Sequence, residues 1–533
     1  MIMIAKGFTQ LSGPAVALGK KSISLDVNHL PYYAGRSVFR MFAAISLAIL
    51  ITFLLGALAA KSRFAERIII PVIDVLQSIP VLAFLQISVF LSVQIFPHKV
   101  LGIELAAIIA VFVAQAWNMI LSFYQSVKSV PYEYYEMAKV LRLTNWKVFW
   151  KIEVPSARPG LIFNAMLSLS ASWFAVVEAE VIQVHQNKVY LPGIGSYIKV
   201  AQDQGNLWAI FYAMMTMLIV IVVYDQIIFR PMQAWVARYE NTVDDSAHHW
   251  ILSFLSKTAW VRKISMPTVF RKYISYFIQI VSTAIIFYGS YHVLLFLTTL
   301  TMPELPFKHI DNWWLGTDKI IILFKLGLIS ACRILLVLIL CLLIWVPIGV
   351  YIGKNHRLAK WMQPIIQVLA AFPPNVLYPM MMYIIISYQL NIEIWVFPLI
   401  MFAAQWYILF NTIAGMMVIP REYILVAKSL HCSQILIWQK VYLPAIMPYL
   451  VTGLMTAAGA AWNATIMAEL FSWDGHTVAA SGLGAYMKQA SELGNSLEVA
   501  WSVIIMGFLV MMINVFVWQP LYQIATHRFM SKE

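Results

Sequence analysis

The 533-residue chain is 61% hydrophobic and only 11% charged, with a mean hydropathy of +0.77. A soluble globular fold of this length needs far more surface charge, so that class is excluded. The formal net charge of +13 gathers in short loops such as "KSRFAER" (61–67), "RKISMPTVFRK" (262–272) and "GKNHRLAK" (353–360). That is the positive-inside pattern of a membrane protein rather than a nucleic-acid surface.

Residues 1–36 form a polar lead-in. Its "GPAVALGKK" is not a phosphate loop: five residues separate the glycines, Lys21 stands where Ser or Thr would hold magnesium, and no strand precedes it. No apolar core precedes a small-residue cleavage site, so it does not read as a signal peptide. Apolar segments follow at 38–60, 69–94, 103–124, 160–182 and 207–229, making a first repeat over 37–235. Met41 to Ala60 carries no charge, which suits a helix that needs about 20 apolar residues to span a bilayer. A basic linker (236–272), an additional apolar segment (273–300) and a loop (301–327) come next. The second repeat, 328–525, has segments at 328–352, 365–388, 392–414, 449–470 and 499–519. The expected fold is all-α and polytopic, with about 11 transmembrane helices.

The two repeats are in register. Trp117 to Pro231 aligns with Trp406 to Pro520 at a constant offset of 289, matching Pro131 with Pro420, Tyr134 with Tyr423, Ala138 with Ala427, Pro155 with Pro444, Trp173 with Trp462 and Glu180 with Glu469. The loop "GIG" at 193–195 falls on "GLG" at 482–484. Upstream the offset is 293, pairing Ser37 and Arg40 with Ser330 and Arg333, Gly56 with Gly349, and Pro71 and Pro80 with Pro364 and Pro373. This many fixed spacings mark a fused duplication. Six segments separate the polar stretches at 131–159 and 420–448, so both stretches face one side and the repeats are parallel. The Lys- and Arg-rich loops place that side in the cytoplasm, with the chain running N-out to C-in.

Within "PYEYYEMAKVLRLTNWKVFWKIEVPSARP" (131–159), Pro131 suits a first helical turn, and Tyr134, Met137, Ala138 and Leu141 share a face at helical spacing. Thr144 is placed to cap a second short helix through Trp146, Phe149 and Trp150 that Pro155 should stop. The expected object is a helix–turn–helix bracket along the membrane surface, with Ala138 on its exposed stripe, able to seat in a groove of a partner.

The two windows resemble the EAA coupling motif of ABC-importer permeases, and the likeness extends from Ser37 to Pro520. The Ser-x-x-Arg start, the Pro-x8-Pro segment, the Trp-x6-Glu helix and the G-I/L-G-x-Tyr loop look most like the nitrate/sulfonate/taurine-type permeases, in a fused, duplicated form. The resemblance implies two tandem copies of a type I importer transmembrane domain in a bacterial cytoplasmic (inner) membrane. It implies docking on two copies of a cytoplasmic ABC ATPase through Pro131, Tyr134, Glu136, Ala138, Leu141, Arg142 and Pro155, and through Pro420, Glu422, Tyr423, Ala427, Leu430, His431 and Pro444. It also implies an external substrate-binding protein, periplasmic or lipid-anchored, facing the loops at 183–206 and 471–498. This chain has no Walker motif and would bind no cofactor; ATP and magnesium would be used by the partner. Substrates of that group are small anions such as nitrate, sulfonate, taurine or bicarbonate.

Departures from the motif carry expectations of their own. Arg142 and His431 replace the motif's glycine, and Arg is poorly suited to positive φ, so a different turn is expected. Glu136 is matched by Leu425, which makes the two docking sites unequal. Along the pathway, Trp173, Glu180, Trp462 and Glu469 are candidates, because repeated intramembrane acids are costly. Each Glu either lines the path or holds the loop that follows it. Arg40 and Arg333, at helix starts, are expected to snorkel to the surface. Glu178 lacks an acidic twin, since Met467 stands at its counterpart. Cys332 and Cys341 lie in apolar segments and Cys432 in a polar loop, and neither these nor the scattered histidines have metal-ligand spacing. The competing readings are an ion-coupled secondary transporter built from parallel repeats, a membrane-embedded enzyme, and a scaffold.

Overall fold

The computed structural model describes residues 23–78, 84–85, 88–89, 92, 96, 100–184, 187–229, 231–232, 316–417, 419, 421–473, 476–493, 495–521 and 524–525. The linker 236–272, the segment 273–300, Pro80, Pro420, His98 and His185 lie outside the described residues. One compact unit, Met1–Asp225 with Asn312–Glu533, holds the elements described below. Of the other unit, Gln226–Asp311, only 226–229 and 231–232 are described, in helical geometry.

In the first repeat, α1 (Leu30–Ile51) is followed by α2 (Arg63–Ser78), α3 (Val100–Lys128), the short α4 (Tyr132–Val140), α5 (Val154–Ala179), the hairpin β1 (Val181–Val184) and β2 (Asn187–Tyr190), α6 (Ile194–Asp203) and α7 (Leu207–Tyr224). The second repeat repeats the order. It comprises α8 (Thr317–Lys354), α9 (His356–Ala371), α10 (Tyr378–Ser387), α11 (Ile392–Met417), α12 (Arg421–Ser429), α13 (Leu443–Ala468), β3 (Leu470–Trp473), β4 (His476–Ala479), α14 (Leu483–Glu492) and α15 (Ser496–Ile513). Each hairpin is antiparallel, with Val181 opposite Tyr190 in one and Leu470 opposite Ala479 in the other.

Residue type explains the packing. The face of α1 that carries Tyr33, Ser37, Arg40, Met41, Ala44 and Ala48 is buried, and it packs on α3; α3 in turn packs on α5. In the second repeat α8 packs on α11, and α11 on α13. Without a hydrophobic driving force in lipid, such contacts depend on close approach by small residues. A Cβ at Gly56 would stand 2.8 Å from Phe123, and one at its twin Gly349 would stand 2.8 Å from Thr412. The halves interlock by exchange, α2 against α15 and α9 against α7.

Among the described residues, seven helical spans are long and apolar enough to cross a bilayer. The segment 365–388, expected as one helix, is two: Phe372 turns to extended backbone (ψ 123°) before Pro373, and a 3-10 turn at Pro374–Val376 leads into α10. A residue before proline is disfavoured in the helical region, so the paired prolines set this break. Of 69–94, the stretch to Ser78 lies in α2, and 84–85, 88–89 and 92, the other described residues, are in helical geometry. Two boundaries also differ from expectation. Helix α1 begins at Leu30 inside the lead-in, and α8 begins at Thr317 inside the stretch read as a loop.

Candidate functional site

Three places bring together residues from both repeats or from matching positions: the bracket end of the bundle, the far end, and the space between the halves.

At the bracket end, α4 starts with Pro131 at its N-cap. Its C-terminus closes through Arg142, which adopts φ 50°, while the Leu143 N–H donates to the Ala138 carbonyl (2.9 Å) and the Arg142 N–H to that of Lys139 (3.0 Å). His431 adopts φ 46°, and the Cys432 N–H donates to Ala427 (3.0 Å). The glycine-type turn is therefore kept by Arg and His, not replaced. Hydrogen bonds to otherwise orphaned carbonyls, two at Arg142 and one at His431, hold left-handed residues that their side chains disfavour.

The exposed stripe differs from expectation too. Ala138 is buried at 3% and Ala427 at 7% exposure, facing into the protein. Tyr134, Met137, Leu141 and Trp146 are exposed, as are their counterparts Tyr423, Val426, Leu430 and Ile435. Both brackets thus present the same apolar surface outward. Glu136 and Glu422 are exposed as well.

Pro155 does not stop the second helix. The turn Asn145–Val148 runs through a π-turn at Phe149–Glu153 straight into α5, with Pro155 in its first turn; Pro444 does the same at Trp438–Tyr442. A wider turn offsets the hydrogen bond that proline cannot donate. Thr144 sits at the cap position without a side-chain bond, whereas its twin Ser433 accepts from the Leu436 N–H.

The basic loop meets the bracket differently in the two halves. Lys61 pairs with buried Glu153 at 2.9 Å, while Lys354 lies 4.4 Å above the ring of Tyr442, the residue in register with Glu153. Burial, and then the Glu153 carboxylate, push the Tyr135 phenol above its ordinary range. The Tyr124 hydroxyl and Lys128 hold the Glu66 carboxylate below its own.

At the far end a second cluster is duplicated. Arg40 and Arg333 do not snorkel; they are buried at 1% and 4% exposure. Arg40 donates to Glu180 (2.7 Å) and to Glu104 (2.7 and 2.8 Å), and Arg333 donates to Glu469 and to Glu393 (2.7 Å). Ser37 donates to Glu180 (2.6 Å) and accepts from the Ile194 N–H; Ser330 does the same with Glu469 (2.8 Å) and Leu483. The Gly195 and Gly484 N–H groups donate to the same carboxylates. Glycine is required at Gly193 and Gly482 for space and not for φ. A Cβ there would fall 2.1 and 2.2 Å from the nearest carboxyl atom of Glu180 and Glu469.

Glu180 and Glu469 are fully buried, and each ties the helix that carries Ser37 and Arg40, or Ser330 and Arg333, to the loop that follows it. Glu104 and Glu393 were missed in the sequence. They are in register at the offset of 289, and that was the available signal. The copies are unequal. Arg36 also binds Glu104, but Ile329 stands at its counterpart, and the Glu393 side chain is 43% exposed against 6% for Glu104.

Between the halves lies a cavity of about 620 Å³, lined by Trp117 and its twin Trp406 and by Trp462, with Asn118, Gln125, Thr456 and Asn463 on its polar wall. Among the described residues no acidic or basic side chain lines it. Trp462 is thus the pathway candidate that faces the cavity. Both tryptophans are buried, but Trp173 is not in this lining, and its indole N–H donates to the Tyr224 hydroxyl (3.0 Å). No grouping of His, Cys, Asp and Glu among the described residues has the arrangement of a metal site.

Comparison with known proteins bears on both repeats. Over 172 residues, 32% of this chain and 58% of the relative, the chain is 30% identical to the nitrate import permease protein of Leptolyngbya laminosa. Over 175 residues, 33% of this chain and 60% of the relative, it is 30% identical to the bicarbonate transport system permease protein of Synechococcus elongatus. It is 25% identical over 229 residues to a probable ABC transporter permease protein of Brucella melitensis, covering 43% of this chain and 87% of that protein. The chain spans about three-fifths of the length of the first two. A family model described as "Binding-protein-dependent transport system inner membrane component" matches twice, at residues 52–236 and 345–518, once in each half. The chain is a multi-pass membrane protein that belongs to this family, with its transmembrane domain present in two fused copies.

Proposed function

We propose that the chain is the fused transmembrane subunit of an ABC importer, forming the path for a small anion across a bacterial inner membrane. The observation that carries this reading is the pair of brackets. Two surfaces related by duplication present Tyr134 and Tyr423, Leu141 and Leu430, and their apolar neighbours, to the outside of the fold. Exposed apolar patches rimmed by polar residues mark partner sites. Two such surfaces in parallel repeats fit two copies of one cytoplasmic ATPase. ATP would be hydrolysed on that partner, and its closure would drive the brackets together. The basic loops at 61–67 and 353–360 reach the bracket end through Lys61 and Lys354, which supports a cytoplasmic position for it. The opposite end, with its hairpins and Gly-x-Gly loops, would then receive an external binding protein.

The names of the nitrate and bicarbonate relatives support an anionic substrate, and so does the lining of the central cavity. Its amide, hydroxyl and indole groups supply hydrogen-bond donors without fixed positive charge, which suits passage better than tight retention. Nitrate, bicarbonate, sulfonate and taurine remain within this class. The test is reconstitution in liposomes with the ATPase and the binding protein. Uptake that requires ATP and the binding protein is the expected result. Concentrative uptake by the chain alone under an ion gradient would refute the proposal in favour of a secondary transporter.

A further inference from the structure

A second, smaller cavity of about 160 Å³ lies between the halves near the far end of α5, lined by Glu178, Lys199, Gln202, Asn375, Tyr378 and Lys488 among others. Three polar contacts cross from the first half to the second beside it. The Asn375 amide donates to Glu178 Oε1 (2.9 Å), Lys199 Nζ donates to Ser472 Oγ (3.3 Å), and the Gln202 amide donates to the Ser472 carbonyl. Asn375 is 6% exposed and its Oδ1 has no partner. It sits in the 3-10 turn that the paired prolines create between α9 and α10.

The duplication makes this arrangement informative. The counterpart of Glu178 is Met467, and that of Asn375, at the upstream offset of 293, is Leu82. In sequence, then, one pairing of these positions carries a carboxylate and an amide, and the duplicate pairing carries two apolar residues. A buried amide with an unmet acceptor is costly, and the duplicate positions carry Met and Leu in its place, so the polar pair is not a common feature of the two repeats. What a polar pair supplies, and Met and Leu do not, is a directional bond made in one relative position of the halves and lost in another. We propose that Glu178 and Asn375 form a one-sided latch that holds the far end of the pathway closed and opens when the halves rock apart.

This inference rests on the importer reading, because it needs two states to discriminate. Breaking the latch must be driven by the partners: a hydrogen bond to a charged group stabilises only the state in which it forms. The free Asn375 oxygen gives the asparagine a second acceptor position, available to Gln or Lys donors on the same wall when the bond to Glu178 is released.

The experiment uses the assembled complex with Glu178→Cys and Asn375→Cys and a short bifunctional thiol reagent, with each single cysteine as control. Crosslinking is expected in the nucleotide-free complex and should fall about tenfold in the vanadate-trapped complex bearing the binding protein, because the two positions part when the halves rock and the closed arrangement becomes the minor state. Equal yields in both states would overturn the latch. The yield in the nucleotide-free form also reports that the variant has folded. In parallel, Glu178→Met with Asn375→Leu copies the apolar diagonal. ATPase activity without binding protein should rise and solute moved per ATP should fall, whereas rates and stoichiometry equal to the parent would overturn the proposal. Uptake by the unaltered complex tests the importer assignment separately.

Discussion

Gly193→Ala is the most direct perturbation of the far-end cluster. The added Cβ would stand 2.1 Å from Glu180 Cδ and 2.2 Å from both carboxylate oxygens. The backbone itself is no obstacle, since Gly193 has φ −179°, an extended conformation open to any residue. The side chain of Glu180 must therefore move, leaving Ser37 (2.6 Å), Arg40 (2.7 Å) and the Gly195 N–H (2.6 Å). Removing one partner from a buried ion pair costs about 3–5 kcal/mol; Arg40 keeps Glu104, which puts this case near about 3 kcal/mol. At about 2 °C per kcal/mol for a large domain, the melting temperature of the purified chain should fall by about 6 °C. Tryptophan fluorescence in detergent is the assay. Gly35→Ala is the internal control: nothing lies within 4 Å of its Cβ position, and alanine is favoured over glycine within a helix by about 0.5–1 kcal/mol. If Gly193→Ala melts within about a degree of the parent, the Glu180 carboxylate is not held against the loop, and the account of the cluster fails.

Other outcomes follow from the same geometry. Arg142→Gly and His431→Gly should be tolerated or raise stability by up to about 1 kcal/mol, because glycine removes the cost of a left-handed side chain; Arg142→Val should lower it, read by melting temperature. Lys61→Ala strands the buried Glu153 carboxylate and should cost about 3 kcal/mol, whereas Lys354→Ala leaves Tyr442, not a carboxylate, at the matching position and loses a cation–π contact worth about 1 kcal/mol; equal melting shifts would contradict this. Leu141→Asp and Leu430→Asp, at positions 63% and 70% exposed, should leave folding intact yet weaken ATPase binding about tenfold or more, measured by co-purification and titration. Leu425→Glu should narrow the affinity difference between the two docking sites, and Glu136→Leu should do the same from the other side.

Much of the architecture was legible because duplication doubles every signal. The offset of 289 exposed the brackets, the Trp–Glu helices and the Gly-x-Gly loops before any contact was known. What a linear pattern could not convey was depth. Arg40 lies at the end of an apolar segment, where a long basic side chain ordinarily reaches water; its partner Glu180 is 140 residues away, so its burial was invisible. Ala138 was misplaced for a related reason, since small residues suit either face of a short helix and only packing chooses. The turn at Arg142 was judged from side-chain preference alone, while two backbone hydrogen bonds decide it. Pro155 read as a helix stop because a π-turn leaves no compositional mark. Glu104 and Glu393 are in register, but each is a single acid beside an apolar run and carries no signal alone. Short hairpins of four-residue strands carry too little alternation to be seen.

The unbroken passage from bracket to α5 has a mechanical consequence. The short turn, the π-turn and the 26-residue helix are continuous, and the helix alone carries the chain about 39 Å from the bracket to Glu180. Each degree by which that helix tilts about its near end displaces the far end by about 0.7 Å, and Pro159 inside it is the place where bending would absorb part of the stroke. Both halves are built this way, so a partner that tilted the brackets would move the buried clusters at the opposite end with them.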